Sequence, residues 1–147
     1  LRMLLEPHAA GEAARHANAA LLGSLRDALD RQREVSPADP IEGMREARRF
    51  HETLASGARN SRLADALHRC FNETSRAHHI LPGLREHMTD AVELDEHEAV
   101  YAAVATGDAA AAEGAMRAHL RTIHIDEPAP AAAVSASFSR PSICCRR

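Results

Sequence analysis

The sequence predicts an all-α protein, an antiparallel bundle of about six or more helices. Three observations lead to this fold class. Hydrophobic residues make up 45% of the 147 residues but aromatic residues only 3%, and alanine, the best helix former, dominates the composition. The β-branched residues that favour strands are scarce. Apolar residues recur at the i, i+3, i+4 spacing of a helix face along most of the chain.

The first two helices are predicted over residues 2–17 and 18–34. The first has an alanine-rich face, and Pro7 is expected to disturb its opening turn, so that the regular helix starts there. The second has an uninterrupted apolar stripe formed by Leu21, Leu22, Leu25, Ala28 and Leu29.

A third helix is expected after the loop of residues 36–40, where Asp39 caps it and Pro40 takes the first helical position. Its predicted face consists of Ile41, Met44, Ala47, His51, Leu54 and Ala58. The helix ends near Gly57, and Asn60 caps a fourth helix. The stripe of the fourth helix is Leu63, Leu67, Cys70, Phe71 and Thr74.

Residues 79–91 contain a Pro-Gly pair that interrupts any continuous helix. A fifth helix follows, with a stripe formed by Leu94 or Glu93, then His97, Val100, Tyr101 and Val104. Gly107 ends this helix in the left-handed conformation, and Asp108 caps the next. The sixth helix presents Ala109, Ala112, Met116, His119, Leu120 and Ile123.

Residues 1–125 are therefore predicted to form one domain, and residues 126–147 a disordered or peripheral tail without periodicity. The net charge of −3 argues against direct DNA binding by this chain, since DNA-binding domains are usually basic. No apolar run approaches the roughly 20 residues of a membrane span. Signal-peptide features and disulfide spacings are lacking as well, and we expect a cytoplasmic protein without membrane contact.

Three histidines stand on the apolar stripes of three different helices, namely His51, His97 and His119. Burial of three imidazoles is costly unless their nitrogens are satisfied, and one divalent metal ion satisfies all three. His97 lies 10 residues before Gly107 and His119 lies 12 residues after it, which places the two rings at similar heights on neighbouring helices.

The triad is predicted to bind zinc, with nickel, copper, iron and manganese as alternatives. Three protein nitrogens leave at least one coordination position open, and a small carboxylate is a natural ligand for it. The other histidines carry no such prediction. His8, His16, His68 and His124 lie off or at the edge of their stripes and are expected to be solvated.

Motifs over residues 2–124 resemble the FCD domain, the C-terminal ligand-binding half of FadR-like transcription regulators of the GntR family. In the first helix these are Arg2, Leu5, Glu6, Pro7 and the following alanines. In the third and fourth helices they are Phe50, His51, Asn60 and Leu63. In the last two helices they are Glu96, His97, Ala103, Gly107, Asp108, Ala112, Met116, His119 and Leu120.

This resemblance implies a helical domain that binds a small organic acid, often through a metal, and that forms a homodimer. It also implies an N-terminal winged helix-turn-helix domain that contacts DNA, which is apparently absent from this chain. Arg2 and Asn60 match family positions and are expected to bind the effector, with Arg2 pairing with a carboxylate. The protein is accordingly expected to be a regulator and not an enzyme.

One position departs from the family pattern. Metal-binding members have an Asp four residues before the first histidine, and here that residue is Ala47. Glu46 is adjacent, but an offset of one residue rotates it by about 100° around the helix. The predicted site is therefore three histidines plus water or effector. The alternative is that the metal is lost and the imidazole N–H groups bind a carboxylate directly.

Two other functions remain open from the residues alone. The first is a metallohydrolase that uses the same three histidines, although no HExxH motif or paired Glu-x-x-His motif is present. The second is a plain helical dimerisation module with inert histidines, which predicts neither a pocket nor a metal.

Overall fold

The computed structural model describes residues 1–80 and 91–125, and it confirms the all-α prediction. These residues form six helices and no strand. The helices are α1 (Arg2–Arg15), α2 (Ala19–Val35), α3 (Pro40–Gly57), α4 (Ser61–Ile80), α5 (Ala91–Ala105) and α6 (Ala109–Ile125). The predicted tail over residues 126–147 and the Pro-Gly segment over residues 81–90 lie outside the described residues.

Side-chain caps fix the starts of four helices. Asn18, Asp39, Asn60 and Asp108 each accept a hydrogen bond from a backbone N–H of the first turn, at 3.0 or 3.1 Å. Between α5 and α6 the backbone turns at Gly107, whose φ is 74°. The caps predicted at Asp39, Asn60 and Asp108 are thereby confirmed, and so is the left-handed conformation of Gly107.

Helix α1 lies at the centre of the bundle and packs against α3, α4, α5 and α6. Its buried face is lined by Ala9, Ala10, Ala13 and Ala14, none of which is more than 3% exposed. Small side chains let neighbouring helices approach closely, and at Gly11 even a methyl group would meet the side chain of Glu113 on α6. The alanine-rich composition therefore reflects a central helix that is packed on several sides.

Two apolar clusters surround this helix. The larger joins α1, α2, α3, α5 and α6 through residues such as Leu25, Leu29, Phe50, Val100 and Met116. The smaller joins α1, α3 and α4 through Ala9, Ala55, Ala58, Leu63, Leu67 and Phe71. The buried faces of α3, α5 and α6 thus converge beside α1, and the three predicted histidines lie on those faces.

Polar contacts hold α2 against α5. Arg26 donates two hydrogen bonds to the carboxylate of Glu98, at 2.8 and 2.9 Å, and its guanidinium lies 4.1 Å from the centre of the Tyr101 ring. Bidentate and cation–π contacts of this kind orient one helix on another. They place the buried face of α2 against the segment of α5 that carries His97.

Two local predictions were wrong. Helix α1 runs through Pro7, which is its sixth residue. Only one backbone hydrogen bond is lost there, and the ring is fully buried, so burial offsets that loss. Ile41 was predicted on the buried face of α3 but is 44% exposed. The loop before α3 packs on Gly43 instead, and Ile41 is rotated by about 200° around the helix from Gly43.

Among the described helices, none combines the length and the apolar character that crossing a bilayer requires.

Replacement of Gly107 by alanine is expected to destabilise the fold by about 1–2 kcal/mol, because an L-residue is strained at this positive φ. Gly114 is the matched control, since it lies exposed in α6 with open space around it. Gly114→Ala is expected to stabilise by about 0.5–1 kcal/mol. Chemical denaturation measures both effects, and equal effects in the two variants would contradict the assigned turn.

Candidate metal centre

The three predicted histidines are brought together in the interior. His51 on α3 is 6% exposed, and His97 on α5 and His119 on α6 are completely buried. Each lies one or two turns from large apolar residues of its own stripe. Phe50 packs against the ring of His97 with centroids 4.9 Å apart, and Phe71 lies 6.0 Å from His51.

The same ring atom of each histidine points to a common centre. The Nε2 atom of His97 lies 3.1 Å from that of His51 and 3.2 Å from that of His119. The third side of the triangle, between His51 and His119, measures 3.3 Å. Among the described residues, this triad is the cluster whose geometry suits a metal ion.

The other ring nitrogen of each histidine faces an oxygen atom of a different side chain. The Nδ1 atom of His97 lies 3.1 Å from the amide oxygen of Gln32, and Nδ1 of His119 lies 2.9 Å from Glu96 Oε2. Nδ1 of His51 lies 2.7 Å from Glu6 Oε2, although the two groups are not aligned for a hydrogen bond. These acceptors favour the tautomer with the proton on Nδ1, since an oxygen there accepts from N–H.

With Nδ1 protonated, the three Nε2 atoms are acceptors that face one another without a donor. Three converging lone pairs in a buried site require a shared cation or a proton. Two imidazole nitrogens that share one zinc ion at about 2.0–2.1 Å are about 2.8–3.4 Å apart, depending on the angle at the metal. The spacing of the triad falls in this range, so the donor set fits a divalent ion.

Burial keeps His97 and His119 unprotonated. It lowers the pKa of His97 well below the ordinary value, and the charges of His51, His119 and Arg2 act in the same direction. Burial also lowers the pKa of His119 to about 3, with contributions from His51 and Arg2 that outweigh the opposing effect of Glu6. Neutral imidazole is the form that binds a metal, so the lone pairs are available near neutral pH.

Arg2 reaches the edge of this centre. Its Nε atom pairs with Oε1 of Glu6, and its guanidinium lies 5.4 Å from the centre of the Phe71 ring. Glu6 itself is 3% exposed. Its burial raises the pKa of the carboxyl, but His51 and Arg2 more than reverse this and lower it to about 2. Arg2 and an ionised Glu6 therefore border the triad on the α1 side.

Asn60, the second predicted effector residue, lies apart from the triad. It is exposed, caps α4 through the backbone N–H of Leu63, and lines an open surface cleft of about 610 Å³ with His8 and His16. Its capping role is confirmed, while its role in effector binding stays a prediction. His8 and His68 are exposed, as expected for histidines off the stripes.

No carboxylate replaces the family Asp at the centre among the described residues. Ala47 is 4% exposed and lies one turn before His51 on the same face of α3. The neighbouring Glu46 is buried too, but its carboxylate pairs with Arg49 at 2.8 Å and with Arg31 at 3.4 Å. The rotation expected from the one-residue offset thus directs Glu46 toward α2 and away from the triad.

Sequence reasoning missed the three residues that contact Nδ1. Glu6 stands at helical spacing from the buried alanines Ala9, Ala10 and Ala13, so it belongs to the buried face of α1. Gln32 follows Ala28 and Leu29 on the buried face of α2 in the same way. A polar residue on an apolar stripe, the signal that identified the histidines, could have found both. Glu96 lies beside the stripe of α5 and reaches across to α6, so the pattern holds no signal for it.

A further carboxyl lies one turn before His97. Glu93 on α5 is half-buried, and its burial, together with the nearby charge of Glu96, raises its pKa to about 7 against the opposing effect of Arg2.

Comparison with known proteins gives one family and one relative. The family model described as the FCD domain matches residues 1–122. A curated protein of Streptomyces ambofaciens, described as an uncharacterized HTH-type transcriptional regulator in an unstable DNA locus, is 32% identical over 108 residues. The aligned region covers 73% of this chain and 44% of that regulator, so the chain spans less than half of the relative's length.

The metal-free protein is expected to lose stability as the pH falls below about 6.5. Histidines of the unfolded chain take up protons near a pKa of about 6.5, whereas burial keeps His97 and His119 unprotonated in the fold. Because the unfolded state then binds more protons, the stabilisation is complete above that pH and is lost on acidification. Thermal unfolding of chelator-treated protein at several pH values measures this loss of stability.

The matched variants are His119→Gln and His68→Gln. The first removes a buried imidazole, so its unfolding temperature should depend less on pH than that of the parent. The second removes an exposed one and should behave as the parent does. The same pH dependence in all three proteins would refute the assignment of the acid sensitivity to the triad.

Proposed function

Because the chain belongs to the FCD domain family, we propose that it is the effector-sensing and dimerisation domain of a GntR/FadR-like transcription regulator. The effector is a small carboxylate, which binds at a centre formed by His51, His97 and His119 and one divalent ion, zinc in the first instance. The single observation that carries this proposal is the convergence of three Nε2 atoms within 3.3 Å of one another.

A bound divalent ion supplies positive charge and open coordination positions in the interior of the bundle. The three imidazoles hold it, and residue 47, where metal-binding members of the family have an Asp ligand, is an alanine that supplies no carboxylate. Arg2 provides a second positive group on the α1 side, since the Nη groups of its guanidinium remain for a ligand when Nε pairs with Glu6. A carboxylate is the ligand class that matches both groups.

DNA is contacted by a separate helix-turn-helix domain of the whole regulator. The description of the Streptomyces relative as an HTH-type regulator supports this part, and so does the relative's greater length. The domain of residues 1–125 forms a homodimer, and effector binding alters the placement of the DNA-binding domains. A regulator of this kind acts in the cytoplasm, where the DNA lies.

The first test is the metal content of the purified protein. The parent is expected to hold about one zinc ion per chain, and His97→Ala is expected to hold none, because His97 supplies one of three nitrogens. His68→Ala is the control, since His68 is exposed and pairs with Glu52. Absence of metal from the parent, even after incubation with Zn²⁺, would favour a metal-free pocket or an inert dimerisation module.

The second test uses acetate as the smallest carboxylate probe and Co²⁺ as a coloured substitute for zinc. Acetate is expected to change the visible spectrum of the Co²⁺ protein, because it enters an open coordination position. Arg2→Gln should weaken this binding by about tenfold or more, as expected when a charged hydrogen-bond donor is lost. Arg15→Gln, at the exposed end of α1, should leave it unchanged.

A metallohydrolase remains the second candidate because Glu93 lies one turn before His97 on α5, where burial and the charge of Glu96 raise the pKa of its carboxyl to about 7. Against it, Glu6 and Glu96 are engaged at Nδ1, on the far side of the rings from the common centre. Hydrolysis of an activated ester by the zinc-loaded protein separates the two functions. Turnover that disappears in both His97→Ala and Glu93→Gln would favour the enzyme, and no turnover is expected from the sensor.

A further inference from the structure

Among the described residues, the carboxylates that contact the triad lie on the outer side of the imidazole rings. Three neutral imidazoles supply no charge to a divalent ion, and a buried double charge is costly without compensation. Glu6 Oε2 lies 2.7 Å from Nδ1 of His51, and Glu96 Oε2 lies 2.9 Å from Nδ1 of His119. With Arg2 paired to Glu6, these two carboxylates would leave one net positive charge when a divalent ion is bound.

Each of these carboxylates makes a close contact through both of its oxygen atoms. Glu6 uses Oε2 for His51, while its Oε1 accepts from Nε of Arg2 on the same helix. Glu96 uses Oε2 for His119, while its Oε1 accepts from the hydroxyl of Thr122, at 2.7 Å. The arrangement repeats on two different helices, with an oxygen on the ring and an oxygen on an anchoring donor.

The third histidine has a different partner. Nδ1 of His97 faces the neutral amide of Gln32, which is 4% exposed. An amide fixes the tautomer of the ring as a carboxylate does, but it brings no charge. All three rings thus face an oxygen atom at Nδ1, but only two of these oxygens carry negative charge. Substitutions at the three positions can therefore distinguish the effect of the charge on metal binding from the effect of the oxygen itself.

From this pattern we propose that Glu6 and Glu96 are positioning residues of the centre, which orient His51 and His119 and supply the charge that makes these imidazoles strong ligands for a divalent cation. The inference rests on the proposed metal centre and extends it. A carboxylate on Nδ1 raises the basicity of Nε2, so it strengthens the bond to the metal without occupying a coordination position. The open positions are left for an anionic ligand.

The test measures the affinity of the full chain for Zn²⁺ by competition with a coloured chelator. Glu6→Gln and Glu96→Gln keep the shape and an acceptor oxygen but remove the charge, and each is expected to weaken Zn²⁺ binding by about 10–100-fold. Gln32→Glu adds a charge at the third ring and is expected to tighten binding. The controls are Glu12→Gln on α1 and Asp95→Asn on α5, which should retain the parent affinity.

Two further measurements distinguish this role from a purely structural one. Thermal unfolding of the metal-free variants reports on the fold, and the visible spectrum of the Co²⁺ form reports on the ligand field at the metal. If Glu6→Gln does not fold, Glu96→Gln carries the test, because Glu96 is 23% exposed and lies at the rim. A structural role alone predicts lower unfolding temperatures with unchanged Zn²⁺ affinity, which would overturn the inference.

The outcomes also separate the inference from the proposed function. Parent affinity in both Gln variants, or weaker binding by Gln32→Glu, would overturn the role of the outer charges and leave the three-histidine centre in place. A parent protein that does not bind Zn²⁺ at all would overturn both. The inference is supported if Zn²⁺ binds more weakly to the two Gln variants of Glu6 and Glu96, more tightly to Gln32→Glu, and with unchanged affinity to the controls.

Discussion

The convergence of three imidazoles on one point imposes a condition on five of the six helices. Each ring must present Nε2 to the centre, so each Nδ1 must find an acceptor elsewhere in the bundle. Those acceptors come from Glu6 on α1, Gln32 on α2 and Glu96 on α5, while the rings themselves come from α3, α5 and α6. A shift of any of these helices would disturb a contact at the centre.

The packing around the site explains how so many helices can meet there. Helix α1 presents alanines to its neighbours, so the backbones of α3 and α6 approach closely enough for His51 and His119 to reach the same point. The contacts of Arg26 with Glu98 and Tyr101 hold α2 on α5, beside the pair of Gln32 and His97. The site is thus assembled by the same helix contacts that form the core.

The sequence is sufficient to predict the residues of the triad but not all of their partners. His51, His97 and His119 could be found because each interrupts an apolar stripe, and such a stripe predicts which face of a helix is buried. Glu96 could not, because its contact with His119 depends on the rotation of α5 against α6, which periodicity does not report. Pro7 and Ile41 were misjudged for a related reason, since tertiary packing decided both.

The position of the negative charge decides what kind of site the triad can be. A carboxylate at position 47 would bind the ion directly and would fill a coordination position with a group of the protein. With Ala47 in that place, the carboxylates of Glu6 and Glu96 stand behind the imidazoles, from where they would offset part of the charge of a bound ion. In the proposed centre the open positions then belong to the ligand, and Arg2, paired with Glu6, adds a positive group on the α1 side. An anion that binds both groups would connect α1 to the metal ligands of α3, α5 and α6. In the proposed centre, a small carboxylate would therefore act on the five helices through the place where they meet.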